Sequence, residues 1–213
     1  MKQQNVANSN NPYDEVGKEH DKDLNQLVKI KNVSEAKIIN LGRDKLNSIQ
    51  VTTDEERAFV DALISDLPNI YDNSQRPLTQ ILGPIVTSNE GRNAVSTLDG
   101  IVSNLDTPVN TFIANMKQFE DDDIVSNRDL SPEEKGAILT CTSVARFSAA
   151  FWSDYLDFPQ ISDHANADIG AAGGASLVAA GVSLFFAPVA PAVYLFSVGG
   201  AAAIASGLSW IKG

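Results

Sequence analysis

Cysteine and histidine are almost missing from this sequence. Its single cysteine, Cys141, excludes an intramolecular disulfide and any thiol cluster for zinc or an iron–sulfur centre. Two histidines, His20 and His164, are too few for a histidine-based metal site. Positive charge is scarce as well: 16 Lys+Arg face 27 Asp+Glu, a formal net charge of −11. An acidic surface repels phosphate backbones, so nucleic acid is excluded as a partner, and anionic lipid exerts no electrostatic pull. Also absent are sustained apolar–polar alternation, a fixed-period repeat, and a glycine-rich phosphate loop after a strand. No cofactor is expected, and the fold class is all-α, a multi-helix bundle.

Met1 to Asn11 is polar and Asn/Gln-rich, with neither the basic start nor the apolar run of a secretory signal. It holds almost nothing to bury and reads as a disordered leader over 1–11. Asn11-Pro12 looks like a helix start, Asn as cap and Pro at the first position. Tyr13, Val16, His20, Leu24, Leu27 and Val28 then recur at helical spacing on one face, up to about Asn32. Ser34 caps a second helix with Ile38, Ile39, Leu41, Leu46 and Ile49 on its apolar face, interrupted by Gly42. Thr53 and Glu56 form a capping box before a third helix, which Pro68 stops. Proline and glycine break the middle into short pieces such as Leu78–Leu82 and 93–104, and 109–119 forms another. Ser131-Pro132-Glu133-Glu134 is the cleanest start in the chain. The helix it opens carries Phe147, Phe151, Trp152 and Tyr155, enough aromatic area to centre a core.

Beyond Asp168 the charge disappears: no acidic residue follows it, and Lys212 is the one basic residue that does. The division this predicts is an acidic helical body over 12–160, a linker over 161–168, and a hydrophobic Gly/Ala-rich helical hairpin over 169–213. Pro188 and Pro191 break the uncharged stretch into two arms, Ile169 to Ala187 and Ala192 to Ile211. Each arm reaches across a hydrocarbon core about 30 Å thick at about 1.5 Å per residue. Leu184, Phe185, Phe186, Pro188, Pro191, Tyr194, Leu195 and Phe196 make the turn the most apolar part, a membrane-insertion tip. Trp210 and Lys212 mark a water interface at the other end. Ala, Gly and Ser weaken insertion but favour close pairing: Gly170 with Gly174, and Gly199 with Ala203 and Gly207, form small-residue rows, within the hairpin or between copies. Burial of the same hairpin at the centre of a soluble bundle is the competing reading, with disorder or aggregation of the tail a third.

The chemistry-bearing residues have plain explanations. His20 lies between Glu19 and Asp21, but no nucleophile motif accompanies it and its apolar face favours a packed histidine. Glu120 to Asp123 with Asp129 lack the ligand spacing and glycine of a calcium loop and read as a solvated acidic loop. Cys141 reads as a small core residue, and Arg146, among Val144, Phe147 and Phe151, as a stacked or salt-bridged structural one. Catalytic, cofactor-binding and metal residues are none, and the protein is expected not to be an enzyme.

Asn11-Pro12-Tyr13-Asp14-x-Val16-Gly17-x-x-His20, with Val144-Ala145-Arg146-Phe147-Ser148 running into Phe151-Trp152, resembles an uncharacterised family of Bacteroidota proteins. Members of that family pair such a segment with a small-residue-rich hydrophobic C-terminus. The tail separately resembles the hydrophobic hairpin of pore-forming colicins, by architecture and without a shared motif. The family brings no established activity with it; the apolar hairpin, with the colicin likeness as an analogy of mechanism, leads to the expectation of a non-enzymatic, membrane-active bacterial protein, bacteriocin-like or pore-forming, membrane-associated or secreted to the cell envelope. Its partner would be the lipid bilayer, with self-association through the hairpin and a protein partner not identified by sequence. Acid would ease insertion, because protonated carboxylates repel an anionic surface less. The alternatives are an envelope-anchored structural protein and a soluble interaction protein built on a buried hairpin.

Overall fold

In chain order the helices are α1 (Asp14–Leu27), α2 (Glu35–Ser48), α3 (Asp54–Asp66), α4 (Ile70–Ser74), α5 (Leu78–Leu82), α6 (Asn89–Val102), α7 (Val109–Phe119), α8 (Pro132–Leu156) and α9 (Pro191–Lys212). The computed structural model describes residues 6–104, 106–157, 159, 160, 168 and 191–212. Among them there is no strand, only an isolated bridge between Pro108 and Gln160. The all-α bundle is therefore as expected, and α9 is its apolar C-terminal helix.

The capping signals act as read. Ser34 accepts from Lys37 N, and Thr53 and Ser131 each complete a capping box with Glu56 and Glu134. Glu134 does more than cap α8. Its Oε1 also accepts from Thr87 N at 3.0 Å and Ser88 N at 2.8 Å, joining the start of α6 to that of α8. Burial works to raise the Glu134 carboxyl, but these amides and that of Ser131 outweigh it and hold it below the usual range.

Three long helices form the centre, and they run parallel. Asn11 Nδ2 donates to Leu139 O at 2.9 Å, Ser143 Oγ to Asp14 O at 3.1 Å, and Gly17 lies against Phe147, so α1 and α8 advance together. Tyr13 meets Tyr194, Val16 and His20 meet Gly199, and Leu27 meets Gly207, so α1 and α9 do likewise. α1 lies close to both partners. α8 and α9 are bridged by longer side chains: Thr140 to Tyr194 at 3.0 Å, Trp152 to Ser206 at 2.8 Å, and Tyr155 edge-on to Trp210. Parallel neighbours require return connections. Residues 28–131 supply the first and add α2, α3 and α4, which also pack on α9.

The structure corrects several boundaries. α1 starts at Asp14, not at Pro12, because Asn11 turns the chain by accepting from Tyr13 N at 2.8 Å. It ends at Leu27, short of Asn32, which adopts a left-handed φ of 54°. Pro68 does not end the helical path, since a 3₁₀ turn over Leu67–Asn69 carries it into α4. On α2 the inward residues are Ile38, Gly42 and Leu46, while Leu41 is exposed. Residues 6–11 are not a free leader: Val6, Asn8 and Asn11 are buried. Glu120 to Asp123 is not a solvated loop, for it continues α7 as a π-helical stretch with Glu120 fully buried.

Candidate functional site

α9 is the feature that distinguishes this bundle. Val193–Lys212 is long and apolar enough to cross a membrane, and 78% of its apolar 18-residue window is buried within the fold. Much of the buried surface is alanine: Ala201, Ala202, Ala203 and Ala205 are fully enclosed beside Val198 and Leu208. Alanine contributes little transfer energy, against about 1.5–3 kcal/mol for each buried valine, leucine or isoleucine. Close approach compensates. A Cβ on Gly199 would stand 2.9 Å from Val16 O, and one on Gly42 only 2.7 Å from Ile204 Cγ1.

Buried polar groups in the same core are incompletely paired. His20, Asp168 and Ser148 are fully buried, with His20 Nε2 3.0 Å from Asp168 Oδ2 and Ser148 Oγ donating to that same oxygen. The imidazole–carboxylate contact is close but not aligned as a hydrogen bond, and His20 Nδ1, Asp168 Oδ1 and Ser197 Oγ also lack partners. Each such buried group costs about 1–3 kcal/mol. Here the carboxylate stands between hydroxyl and imidazole. In a hydrolase triad the imidazole bridges, so this arrangement does not activate Ser148.

A second buried cluster explains the N-terminal motif. Arg146, fully buried on α8, donates from Nη2 to Asp14 Oδ1 at 2.6 Å, from Nε to Glu120 Oε1 at 3.1 Å, and from Nη1 to Val6 O. Asn8 and Asn11 donate to the two Glu120 oxygens at 2.7 and 2.8 Å. Gly17 lets α1 approach: a Cβ there would meet Phe147 Cδ2 at 2.4 Å and Ser143 O at 2.7 Å. Asp14, Gly17 and His20 thus share one face of α1, turned toward Arg146, Phe147 and Ser148, and Asn11 joins the cluster from the turn before it. The salt-bridged reading of Arg146 and the packed reading of His20 agree with these positions, although the carboxylate facing His20 is the distant Asp168. Cys141 is buried as expected, and burial pushes its thiol up to about 12.

Protein-family models, curated proteins and solved structures yield no match to this chain. What its parts do must be argued from geometry.

Of the insertion-tip residues, Leu184, Phe185, Phe186 and Pro188 lie outside the described residues, as do Gly170, Gly174 and the first arm of the hairpin. Pro191 opens α9. Tyr194 is half-buried between Phe59, which it stacks on, and Tyr13, which it meets edge-on. Leu195 is half-buried and Phe196 exposed, with Lys22 over its ring. Gly199, Ala203 and Gly207 are buried, with Gly199 against α1 and Gly207 against α1 and α2. Trp210 packs on Tyr155, and Lys212 pairs with Glu35 at 3.5 Å and lies over Tyr71.

Among the described residues, grooves border the central helices. One, of about 570 Å³, runs between α1 and α8 past Asp21, Phe151, Asp154 and Tyr155. Burial raises the Asp21 carboxyl there, and neighbouring Asp154 adds to it. Another, of about 630 Å³, lies between α1 and α2 with Gly200, Ala203 and Ile204 of α9 on its floor. Among the described residues no three His, Cys, Asp or Glu side chains are grouped as a metal ion would need.

Proposed function

We propose that this is a non-enzymatic, membrane-active bacterial protein, pore-forming or bacteriocin-like, that carries α9 enclosed until it meets a bilayer. The observation that supports the reading is the enclosure of a helix of membrane-spanning length whose packing rests on small residues and under-paired polar groups. Such an interface gives up little when it opens, and a bilayer satisfies an α-helix fully because its backbone bonds are internal. A ligand that favours the open state shifts a marginal equilibrium by its differential affinity, and lipid is that ligand here. The sealing of His20, Ser148 and Cys141 supports the non-enzymatic part. Tyr194, Leu195 and Phe196 at the start of α9 would enter first, while Lys212 would leave Glu35 for the interface.

Flotation with liposomes, with dye release read in parallel at neutral and acid pH, tests this. Flotation with leakage is the expected result, stronger in acid. A protein that remains in the dense fraction at every pH refutes the proposal. Flotation without leakage favours an envelope-anchored structural role. The second reading, a soluble helical interaction protein with α9 as its permanent core, draws on the same 78% burial, since a core helix meets the same length and apolarity.

A further inference from the structure

The helices of the bundle do not turn equal shares of themselves inward. α1 turns eight residues inward, among them Val16, Gly17, His20 and Leu24, and α8 turns most of its length inward. α2 buries only Ile38, Gly42 and Leu46. Its connections to the rest are short: residues 28–34, with Asn32 in a left-handed conformation, and residues 49–53. α1 and α2 barely approach each other as backbones, although both lie on α9. Among the described residues the hydrogen bonds and ion pairs joining them are those of Lys45, which donates to Glu19 Oε1 at 2.7 Å and to Asp23 Oδ2.

The stem of Lys45 has a second task. A Cβ on Gly200 would meet Lys45 Cδ and Cε at 3.3 Å, so the methylenes roof α9 where the groove opens beside it. The Lys45 side chain is about one-quarter exposed, at 26%, against 9% and 11% for the side chains of Glu19 and Asp23. The clasp therefore sits at the water boundary, where its strength depends on ionic strength. At the far end of α2 the polar tie to α9 is the 3.5 Å Glu35–Lys212 pair, more exposed still.

We infer that α2 is a hinged strap over α9, held shut by Lys45 across Glu19 and Asp23, and that it opens before the α1–α8–α9 centre does. Opening would uncover Gly200, Ala203, Ile204 and Gly207 together, the small-residue face of α9, while the Arg146 cluster keeps α1 on α8. This deepens the membrane-active reading by naming the part that moves, and as a route to the bilayer it rests on that reading. Locally weak elements with few buried contacts are those that open below the global unfolding free energy.

Hydrogen exchange on the full chain, free of lipid, tests it. The comparison is wild type, Lys45→Met and, as a control, Lys29→Met on the exposed end of the α1–α2 connection. Methionine keeps an apolar stem over Gly200 and removes the ammonium, which leaves Glu19 and Asp23 facing each other. The expected result is that wild-type amides of 35–48 exchange faster than those of α8. In Lys45→Met they should gain about a further tenfold, with α1, α8 and α9 unchanged. Wild type in about 1 M salt should show part of the same gain, and that arm stands if the variant fails to fold. Exchange of α2 only together with α8 overturns the strap, as does unchanged α2 protection in Lys45→Met. Vesicle flotation of the same samples separates the two claims: a selectively opening α2 with no flotation sinks the membrane reading and leaves the strap standing.

Discussion

Replacing Arg146 by Met should cost this protein a large fraction of its stability. The methionine fills much of the same volume, so packing changes little, but it removes three nitrogen–oxygen contacts and a positive charge from a site closed to water. Asp14 keeps Asn8 N at 3.1 Å and the partly exposed Lys18 at 3.6 Å, Glu120 keeps Asn8 and Asn11, and Val6 O loses its donor. Breaking a buried pair from one side costs about 3–5 kcal/mol, because the remaining charge is stranded. Small domains have about 5–15 kcal/mol in total. With a urea slope of about 2 kcal/mol per molar, the unfolding midpoint should fall by roughly 2 M. Circular dichroism and tryptophan fluorescence should report it together, since Trp152 lies on the same helix. Adding Glu120→Gln to Arg146→Met should recover about 1–2 kcal/mol by removing one stranded charge. A midpoint within about 0.3 M of wild type, or no recovery in the double variant, would refute the reasoning.

Gly199→Leu should force α1 off α9, because the first added carbon already meets Val16 O at 2.9 Å and His20 N at 3.1 Å; overpacking of this kind costs about 1–3 kcal/mol, and an unchanged thermal midpoint would contradict the close approach. Cys141, buried and with its thiol pushed up to about 12, should resist a maleimide at pH 8 in the folded protein and react at once in urea. Rapid native labelling would show that α8 is not sealed. Glu134 has a depressed carboxyl, so its ionised form stabilises the fold above the unfolded value of 4.5 and that contribution is lost as pH falls through the lower folded value. Glu134→Gln should thus be less stable at pH 7, by about 1–2 kcal/mol, and lose less than wild type on acidification; parallel pH profiles would dismiss the double cap.

The helices that announce themselves through local chemistry were legible: Ser34, Thr53 and Ser131 name their own helix starts, and spacing names the inward face of α1. Those signals lie within a few residues, so the chain states them wherever it folds. The start of α1 was misplaced because Asn11 bonds Tyr13 N in a turn, a local alternative to the cap with the same residue types. Glu120 was read as solvated because three acidic neighbours surround it in sequence. Its actual surroundings are Arg146, Asn8 and Asn11, and none of these is near it along the chain.

Length, apolarity and absence of charge over 191–211 belong to the sequence alone, as does the all-α class, since both follow from residue type and period. What tertiary structure decided is which surfaces those residues meet. It placed α9 between α1, α2 and α8, turned its small-residue row toward α1 and α2, and drew the N-P-Y-D segment onto Arg146 across 132 residues of chain. Long-range partners are selected by shape and charge balance among helices far apart in sequence, and periodicity contains no record of that choice.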